Sequence, residues 1–153
     1  NKGSIVSGTQ GGTISLRGTS VRNEGSLEAL GAGTLSLTNL LNAGLLKADP
    51  GGQVIISGPF TQTPAGVVQI GITGTSTSDF GRISVSGLAS LDGVIRPMLF
   101  GGFLPALGQT FRVMTFGSRT GSFASVEDGN PGDGVSYSAI YNPTNLSLLA
   151  IAE

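Results

Sequence analysis

The chain contains 153 residues, and its 8 basic and 9 acidic side chains leave a net charge of −1. Nucleic acids and anionic membranes are bound by clusters of Lys and Arg, so this balance argues against both as partners, and no apolar run reaches the roughly 18 residues of a membrane-spanning helix. The absence of Cys and His excludes disulfides, catalytic triads that use either residue, and typical zinc sites.

Glycine is unusually frequent, with 26 residues, and yet 39% of the chain is hydrophobic. Disordered glycine-rich linkers lack such an apolar fraction, because they have no core to build. The composition therefore predicts a folded chain in which short apolar segments are joined by many tight turns.

A repeat covers the first half of the chain. Four segments begin with a small or polar residue and have Gly at the third position and an aliphatic residue at the fifth. They occupy residues 1–5, 23–27, 42–46 and 64–68. Successive segments start 22, 19 and 22 residues apart. A period near 20 residues with glycine turns is typical of a β-solenoid, in which each repeat pairs with the next.

The side chains of the repeat alternate between apolar and polar, which is the strand period. Stacking the segments places like residues in inward columns: Ile5, Leu27, Leu46 and Val68, then Ser7, Ala29, Ala48 and Ile70, and on a second face Ile14, Leu35 and Val54 beside Leu16, Leu37 and Ile56. An outward column contains Glu28, Lys47 and Gln69, so we expect Glu28 and Lys47 to form an exposed ion pair on neighbouring strands.

Two further columns mark the corners of the repeat. The glycines are expected to adopt positive φ at a sharp corner; they are Gly3, Gly25, Gly44 and Gly66. Asn1, Asn23 and Asn42 stack at the same corner, where their amides are expected to hydrogen-bond from one repeat to the next.

The repeat fades after Gly74, where a polar loop begins. Asp92-Gly93 lies between apolar runs and predicts a hairpin turn. Strands are expected over residues 110–116, 134–141 and 146–151, and the last two flank the turn at residues 142–145 as an antiparallel hairpin. Most of the aromatic residues fall in this half, which favours a terminal cap over the last repeat.

Several motifs of the second half resemble a known group of proteins. They are Gly87-Leu-Ala-Ser-Leu-Asp-Gly93, Gly102-Phe-Leu-Pro105, Gly108-Gln-Thr-Phe-Arg-Val-Met-Thr115 and Gly121-Ser-Phe123. Together they resemble the C-terminal end of the repeat region in bacterial autotransporter-like and haemagglutinin-like surface proteins, and residues 58–62 and 66–70 resemble the last coil of that region. The resemblance implies secretion, a right-handed β-helix, and a role in adhesion or surface coating.

The repeat and the resemblance together predict an all-β fold. It is a right-handed parallel β-helix, a solenoid of about four coils over residues 1–74, followed by a β-rich capping region over residues 75–153 with antiparallel strands. The expected location is extracellular or on the bacterial cell surface.

Catalytic chemistry would have to come from carboxylates, as in glycoside hydrolases, where two of them face one groove. The candidates are Glu24, Glu28, Asp49, Asp79, Asp92, Glu127, Asp128 and Asp133. None of them forms a same-face pair in the predicted register, so we predict no catalytic residues, no cofactor and no enzymatic activity.

One segment, residues 127–134, offers oxygen ligands of the kind that calcium binds. Asp128, Asn130 and Asp133 are the candidate ligands. Their spacing does not match the twelve-residue loop of helix-flanked calcium sites, and Asp, Asn, Gly and Pro are also the usual residues of turns. We therefore predict a turn with no metal site and keep calcium as the alternative.

Three functions are consistent with these features. The first is a non-enzymatic structural or adhesive module of a secreted or cell-surface bacterial protein, with a host or matrix ligand. The second is a self-assembling unit that stacks end to end through open solenoid ends into fibres or a coat. The third is the scaffold part of a polysaccharide-active β-helix enzyme whose carboxylates lie elsewhere.

Overall fold

The computed structural model describes residues 1–8 and 11–153, and these residues form sixteen β-strands and no helix. Accordingly, nothing in the described ranges is a helix of the length and hydrophobicity that crossing a membrane requires. The strands in chain order are β1 (Ser4–Ser7), β2 (Thr13–Leu16), β3 (Val21–Asn23), β4 (Ser26–Ala29), β5 (Thr34–Asn42), β6 (Leu45–Ala48), β7 (Gln53–Gln62), β8 (Val67–Ile72), β9 (Arg82–Val85), β10 (Leu88–Leu91), β11 (Val94–Leu99), β12 (Thr110–Thr115), β13 (Ser118–Gly121), β14 (Ser125–Val126), β15 (Val135–Tyr141) and β16 (Asn145–Ala152).

The strands form two sheets. The first has six strands in the order β1-β4-β6-β8-β11-β14, all parallel. The second has ten strands and is mixed. Seven of them lie in the order β13-β10-β7-β9-β12-β16-β15, and β5 pairs with β7 and also with β2 and β3. Among the strand pairs of residues 1–8 and 11–153, only β12–β16 and β15–β16 are antiparallel.

The registers predicted for the repeats are confirmed in both sheets. Ile5 lies beside Leu27, Leu27 beside Leu46, and Leu46 beside Val68. The second inward column and the two columns of the other face follow the predicted order as well. Leu27, Leu46 and Val68 are fully buried, and burying such a side chain contributes about 1.5–3 kcal/mol.

A single hydrophobic core joins the buried faces of both sheets. Its largest fully buried side chains come from the two halves of the chain: Leu27, Leu35, Leu37, Leu40, Leu46, Ile56, Phe60, Ile70, Ile72, Ile83, Ile95 and Phe111. Residues 1–74 and residues 75–153 therefore share one apolar interior.

The all-β character of the predicted fold is confirmed, but the rest of the predicted fold class is wrong. The chain forms two sheets, one parallel and one mixed, and not a right-handed β-helix of about four coils with an antiparallel cap. Parallel pairing does not stop near residue 74, because β11 and β14 extend the parallel sheet, and β9, β10, β12 and β13 extend the mixed one. The antiparallel strands β15 and β16 are part of the mixed sheet, which they join through β12.

The hairpin predicted at Asp92-Gly93 is also wrong. β10 before this turn pairs with β7 and β13 in the mixed sheet, whereas β11 after it pairs with β8 and β14 in the other. Gly93 has φ of 65°, as a tight turn requires, but the turn passes the chain between sheets. The hairpin predicted around residues 142–145 is confirmed, and Asn142 N donates to Asn145 O at 2.8 Å.

The glycine column has a different physical cause from the one predicted. None of Gly3, Gly25, Gly44 and Gly66 has positive φ. A Cβ on Gly25 would lie 2.0 Å from the carbonyl oxygen of Gly3, and one on Gly44 would lie 2.3 Å from that of Gly25. Gly25, Gly44 and Gly66 are required because consecutive repeats approach too closely there for any side chain, whereas a Cβ on Gly3 would meet no close atom.

The stacked amides are confirmed and continue one step further than predicted. Asn1 Nδ2 donates to Asn23 Oδ1 at 3.0 Å, and Asn23 Nδ2 to Asn42 Oδ1 at 2.8 Å. Asn42 Nδ2 then donates to Gln62 Oε1 at 2.8 Å, so Gln62 completes an amide ladder of four residues (Asn1, Asn23, Asn42, Gln62), of which all but Asn1 are buried.

The ion pair predicted between Glu28 and Lys47 is replaced by another. The two residues are register neighbours, as expected, but Lys47 Nζ lies 3.6 Å from Asp49 Oδ1. Burial raises the pKa of the Asp49 carboxyl above its ordinary 3.8, and the attraction of Lys47 opposes this only in part. Charge on Asp49 therefore opposes folding.

The free energy of unfolding of the wild type, relative to that of Asp49→Asn, is expected to decrease as pH rises. Because the folded pKa exceeds the unfolded one, wild type loses stability relative to the variant as pH rises through the window just above 3.8. Urea unfolding of both proteins between about pH 3 and about pH 7 measures the difference. A difference that is constant, or that grows in favour of wild type toward neutral pH, would contradict the raised pKa.

Candidate functional site

A groove of about 610 Å³ lies against the outer face of the mixed sheet. Its polar lining comes from strand positions that alternate with buried ones: on β9, Arg82 and Ser84 line the groove while Ile83 and Val85 are buried. The other polar lining residues are Gln53, Thr77, Thr110, Arg112, Thr115 and Ser147. Strands β7, β9, β12 and β16 therefore present these polar side chains on one face, where the exposed apolar side chain of Ile55 also lines the groove.

The strand registers bring these side chains together. Gln53 is the register neighbour of Arg82, and Ser84 is that of Thr115. Arg112 lies opposite Ser147 on the antiparallel side. Paired strands are about 4.8 Å apart, so Arg82 on β9 and Arg112 on the adjacent β12 face the same groove.

An irregularity in β12 shapes the centre of the groove. The register shifts between Arg112 and Met114, and both Val113 and Met114 are buried, while Arg112 and Thr115 are exposed. Such a bulge places two consecutive residues opposite one. It keeps Arg112 and Thr115 on the outer face although they are three positions apart, an offset that would put them on opposite faces of a regular strand.

One end of the groove is formed by the polar loop between β8 and β9. Asp79 organises this loop: its Oδ2 accepts a hydrogen bond from Ser76 N at 3.1 Å, and its backbone oxygen accepts one from Thr73 N at 2.7 Å. Phe80, which follows, packs edge to face on Phe111 with ring centroids 5.6 Å apart. The loop that forms this end of the groove, which contains Thr77, is thus anchored to the hydrophobic core through Phe80.

The electrostatic character of the groove comes from its two guanidinium groups. None of its lining residues is acidic, and within the part of the chain that the structure describes neither Arg82 nor Arg112 forms an ion pair. Arg22 and Arg96, in contrast, are paired with Glu24 and Glu127 at 2.6 and 2.7 Å. Uncompensated guanidinium groups favour an anionic ligand.

Arg82 carries a further unsatisfied group. Its Nε is buried and has no hydrogen-bond partner among the described residues. A buried donor without a partner costs free energy. The groove therefore offers net positive charge, while the Nε of Arg82 lies beneath its surface.

The residues predicted as candidate calcium ligands hold turns. Asn130 Oδ1 accepts from Leu99 N at 2.6 Å, Asp128 Oδ1 from Asn130 N at 2.9 Å, and Asp133 Oδ1 from Val135 N at 2.9 Å. Over residues 1–8 and 11–153, no three metal-binding side chains of the His, Cys, Asp or Glu type come together. One oxygen of each candidate is engaged by the backbone.

Several of the carboxylates considered for catalysis are engaged with cations. Glu24 contacts Arg22 and lies 3.8 Å from Lys2, and the hydrogen bond from Arg22 lowers the pKa of Glu24 below its ordinary range. Asp49 pairs with Lys47 and Glu127 with Arg96. These three carboxylates therefore act as partners for surface cations at separate places in the two sheets.

A second surface with functional potential is the N-terminal edge, defined as the outer edge of β1, β2 and β3. The aliphatic side chains Ile5, Ile14, Leu16 and Val21 are only partly buried there. Their register neighbours on the next strands are at most 2% exposed: Leu27, Leu35, Leu37 and Leu40. Core-type residues are thus accessible at this edge, and among the residues that the structure describes no strand pairs with the outer side of β1, β2 or β3.

Sequence reasoning did not single out Arg82 or Arg112. The alternation Arg-Ile-Ser-Val at residues 82–85 indicates that Arg82 points outward, and Thr-Phe-Arg at residues 110–112 indicates the same for Arg112. Their adjacency depends on the pairing of β9 with β12, which no local pattern encodes.

Comparison with known proteins adds no relative: no protein-family model and no curated protein sequence matches the chain. The resemblance to bacterial surface proteins stays a prediction from the motifs that carry it. The groove and the N-terminal edge are therefore the two features of the molecule that bear on its function.

Proposed function

We propose that the chain is a non-enzymatic structural and adhesive module of a secreted or cell-surface bacterial protein. The observation that carries the proposal is the groove, which has two guanidinium groups and no acid among its lining residues and lies on a sheet whose strands are paired on both sides. β7 lies between β5 and β9, β9 between β7 and β12, and β12 between β9 and β16. A surface fixed in this way binds without the entropic cost of ordering a loop.

The chemistry of the groove supports binding more than catalysis. Its polar lining provides guanidinium, hydroxyl and amide groups. Guanidinium stays protonated at all physiological pH values, and neutral hydroxyl and amide groups form hydrogen bonds but do not ionise in that range. General acid–base catalysis needs a group that titrates near the working pH. The groove thus suits a module that holds a ligand unchanged.

The proposal is tested by adhesion and hydrolysis assays on the same surfaces. Plates coated with polygalacturonate, heparin, dextran and collagen are incubated with the labelled chain, and released reducing ends are measured in parallel. We expect saturable binding to at least one surface without release of reducing ends. Failure to bind any surface, or hydrolysis of a bound polysaccharide, would overturn the proposal.

Self-association is a second candidate function, and the N-terminal edge favours it. Partly buried aliphatic side chains next to an unpaired strand edge form a template for the edge of another chain. A second copy presents the same edge, so two chains can pair about a two-fold axis and cover Ile5 and Ile14 in both. Association in this form buries apolar surface and satisfies backbone groups at once.

Light scattering over a range of concentrations tests this candidate. Wild type is expected to increase in mass with concentration, whereas Ile14→Lys is expected to stay a single chain, because Lys at a strand edge opposes pairing. Leu104→Lys is the matched control, since Leu104 is 55% exposed and lies in a loop. A single-chain mass for wild type at every concentration, or association that Ile14→Lys leaves intact, would exclude the N-terminal edge as the interface.

A further inference from the structure

We propose that the groove binds an acidic oligosaccharide and that Arg82 and Arg112 contact its anionic groups. This inference rests on the proposed adhesive function and specifies its ligand. The shared chemistry is a carboxylate or sulfate on a sugar ring, held by the two guanidinium groups while hydroxyl and amide side chains contact the sugar hydroxyls.

The charge distribution of the chain supports an anion at this place. The chain as a whole has a net charge of −1, yet the groove contains two cations and no acid among its lining residues. Guanidinium donates two parallel hydrogen bonds to a planar carboxylate or to a sulfate edge.

The remaining lining supports a sugar as the carrier of the anion. Amide and hydroxyl groups line the groove beside the two cations, together with apolar side chains of which Ile55 is exposed; the polar residues are Gln53, Ser84, Thr110, Thr115 and Ser147. These groups both donate and accept, as the hydroxyls of a sugar do. The volume of about 610 Å³ lies within the range of roughly 300–1,000 Å³ that small-ligand sites occupy, so a short oligosaccharide segment fits.

The same lining disfavours a nucleic acid. Binding of single strands uses exposed aromatic rings on which bases stack, and Phe80, the aromatic residue of the lining, is only 4% exposed. Two arginines also fall short of the row of cations that follows a phosphate backbone. The groove therefore favours a ligand with isolated charges and many hydroxyls.

Titration calorimetry on the full chain tests the ligand class. Trigalacturonate supplies carboxylates, a heparin-derived tetrasaccharide supplies sulfates, and maltotriose is the neutral comparison. We expect at least one acidic oligosaccharide to bind about tenfold more tightly than maltotriose, and added salt to weaken that binding. The stronger of the two acidic ligands identifies the anionic group.

Variants assign the binding to the two arginines. Arg112→Gln, at an exposed position, is expected to lower the affinity for the acidic ligand about tenfold, and Arg112→Lys to recover only part of it because the two-pronged donor is lost. Arg82→Gln is expected to act in the same direction. Arg96→Gln on the parallel sheet is the matched control, since it removes the same charge away from the groove. Circular dichroism shows which variants remain folded.

The outcomes separate this inference from the proposed function. Equal affinity for maltotriose and the acidic ligands, or full affinity in folded Arg112→Gln, overturns the ligand assignment. If the same wild-type protein still adheres to a coated plate, the adhesive function stands and its surface lies elsewhere. If it binds neither the oligosaccharides nor any plate, both proposals fail.

Discussion

Leu46→Asp is expected to abolish the folded state at room temperature. Leu46 is fully buried on β6, between Leu27 on β4 and Val68 on β8. The substitution removes a core aliphatic side chain, which costs about 2–5 kcal/mol, and it places a carboxylate among hydrocarbon neighbours, which costs several more. Typical domains are stable by about 5–15 kcal/mol in total, so the two losses together are comparable with the whole.

Leu45→Asp is the matched control for this prediction. Leu45 is the preceding residue on the same strand and is only partly buried, because its side chain is on the other face of the sheet. We expect Leu45→Asp to fold with a modest loss, measured by urea unfolding monitored with circular dichroism. A cooperative transition in Leu46→Asp like that of wild type would contradict the inward column Leu27, Leu46 and Val68.

The strand registers of the first half could be predicted because the repeat itself encodes them. Residues at equal positions in the segments face equal neighbours, so Leu27 and Leu46 had to align once parallel pairing was assumed. The same alignment also predicted the part of the amide ladder that runs from Asn1 to Asn42. Its last member was missed because the fourth segment begins with Pro64, and the strand register instead places Gln62 beside Asn42.

The fold class was mispredicted for a related reason. The loss of sequence similarity after Gly74 was interpreted as the end of parallel pairing. Backbone hydrogen bonds do not require similar side chains, only an extended strand with a compatible apolar face. Ile95 therefore aligns with Val68 and continues the parallel sheet, although residues 94–99 do not resemble the earlier repeats. Turn chemistry at Asp92-Gly93 was equally uninformative, because a turn between sheets uses the same residues as a hairpin turn.

The groove could be predicted only in part. Outward positions follow from alternation along each strand, so the exposure of Arg112 and Ser84 was within reach of the sequence. Their common surface depends on the parallel pairing of β9 with β12 and on the shift of register between Arg112 and Met114. Both features are tertiary, and neither has a local sequence signal.

Asn42→Asp is the second substitution with a large expected effect, because it nearly preserves the shape of the side chain and removes its donor. Asn42 is fully buried, and its Nδ2 donates to Gln62 Oε1 at 2.8 Å and lies 3.1 Å from Gly44 O and 3.3 Å from Val67 O. A carboxylate would turn an oxygen toward these acceptors and leave a buried charge without a cation. We expect a loss of about 3–5 kcal/mol at neutral pH, as for other uncompensated buried charges.

The pH dependence of that loss distinguishes electrostatics from packing. A protonated carboxyl regains one O–H donor for Gln62 Oε1, so the deficit of Asn42→Asp relative to wild type is expected to shrink as pH falls. Asn145→Asp is the matched control: Asn145 accepts through Oδ1 from Asn142 Nδ2 at an exposed turn, and Asp keeps that acceptor. Urea unfolding of the three proteins across the acidic range measures the effect. A small and pH-independent loss in Asn42→Asp would mean that the amide ladder contributes shape but little hydrogen-bond energy, since packing is nearly unchanged by the substitution.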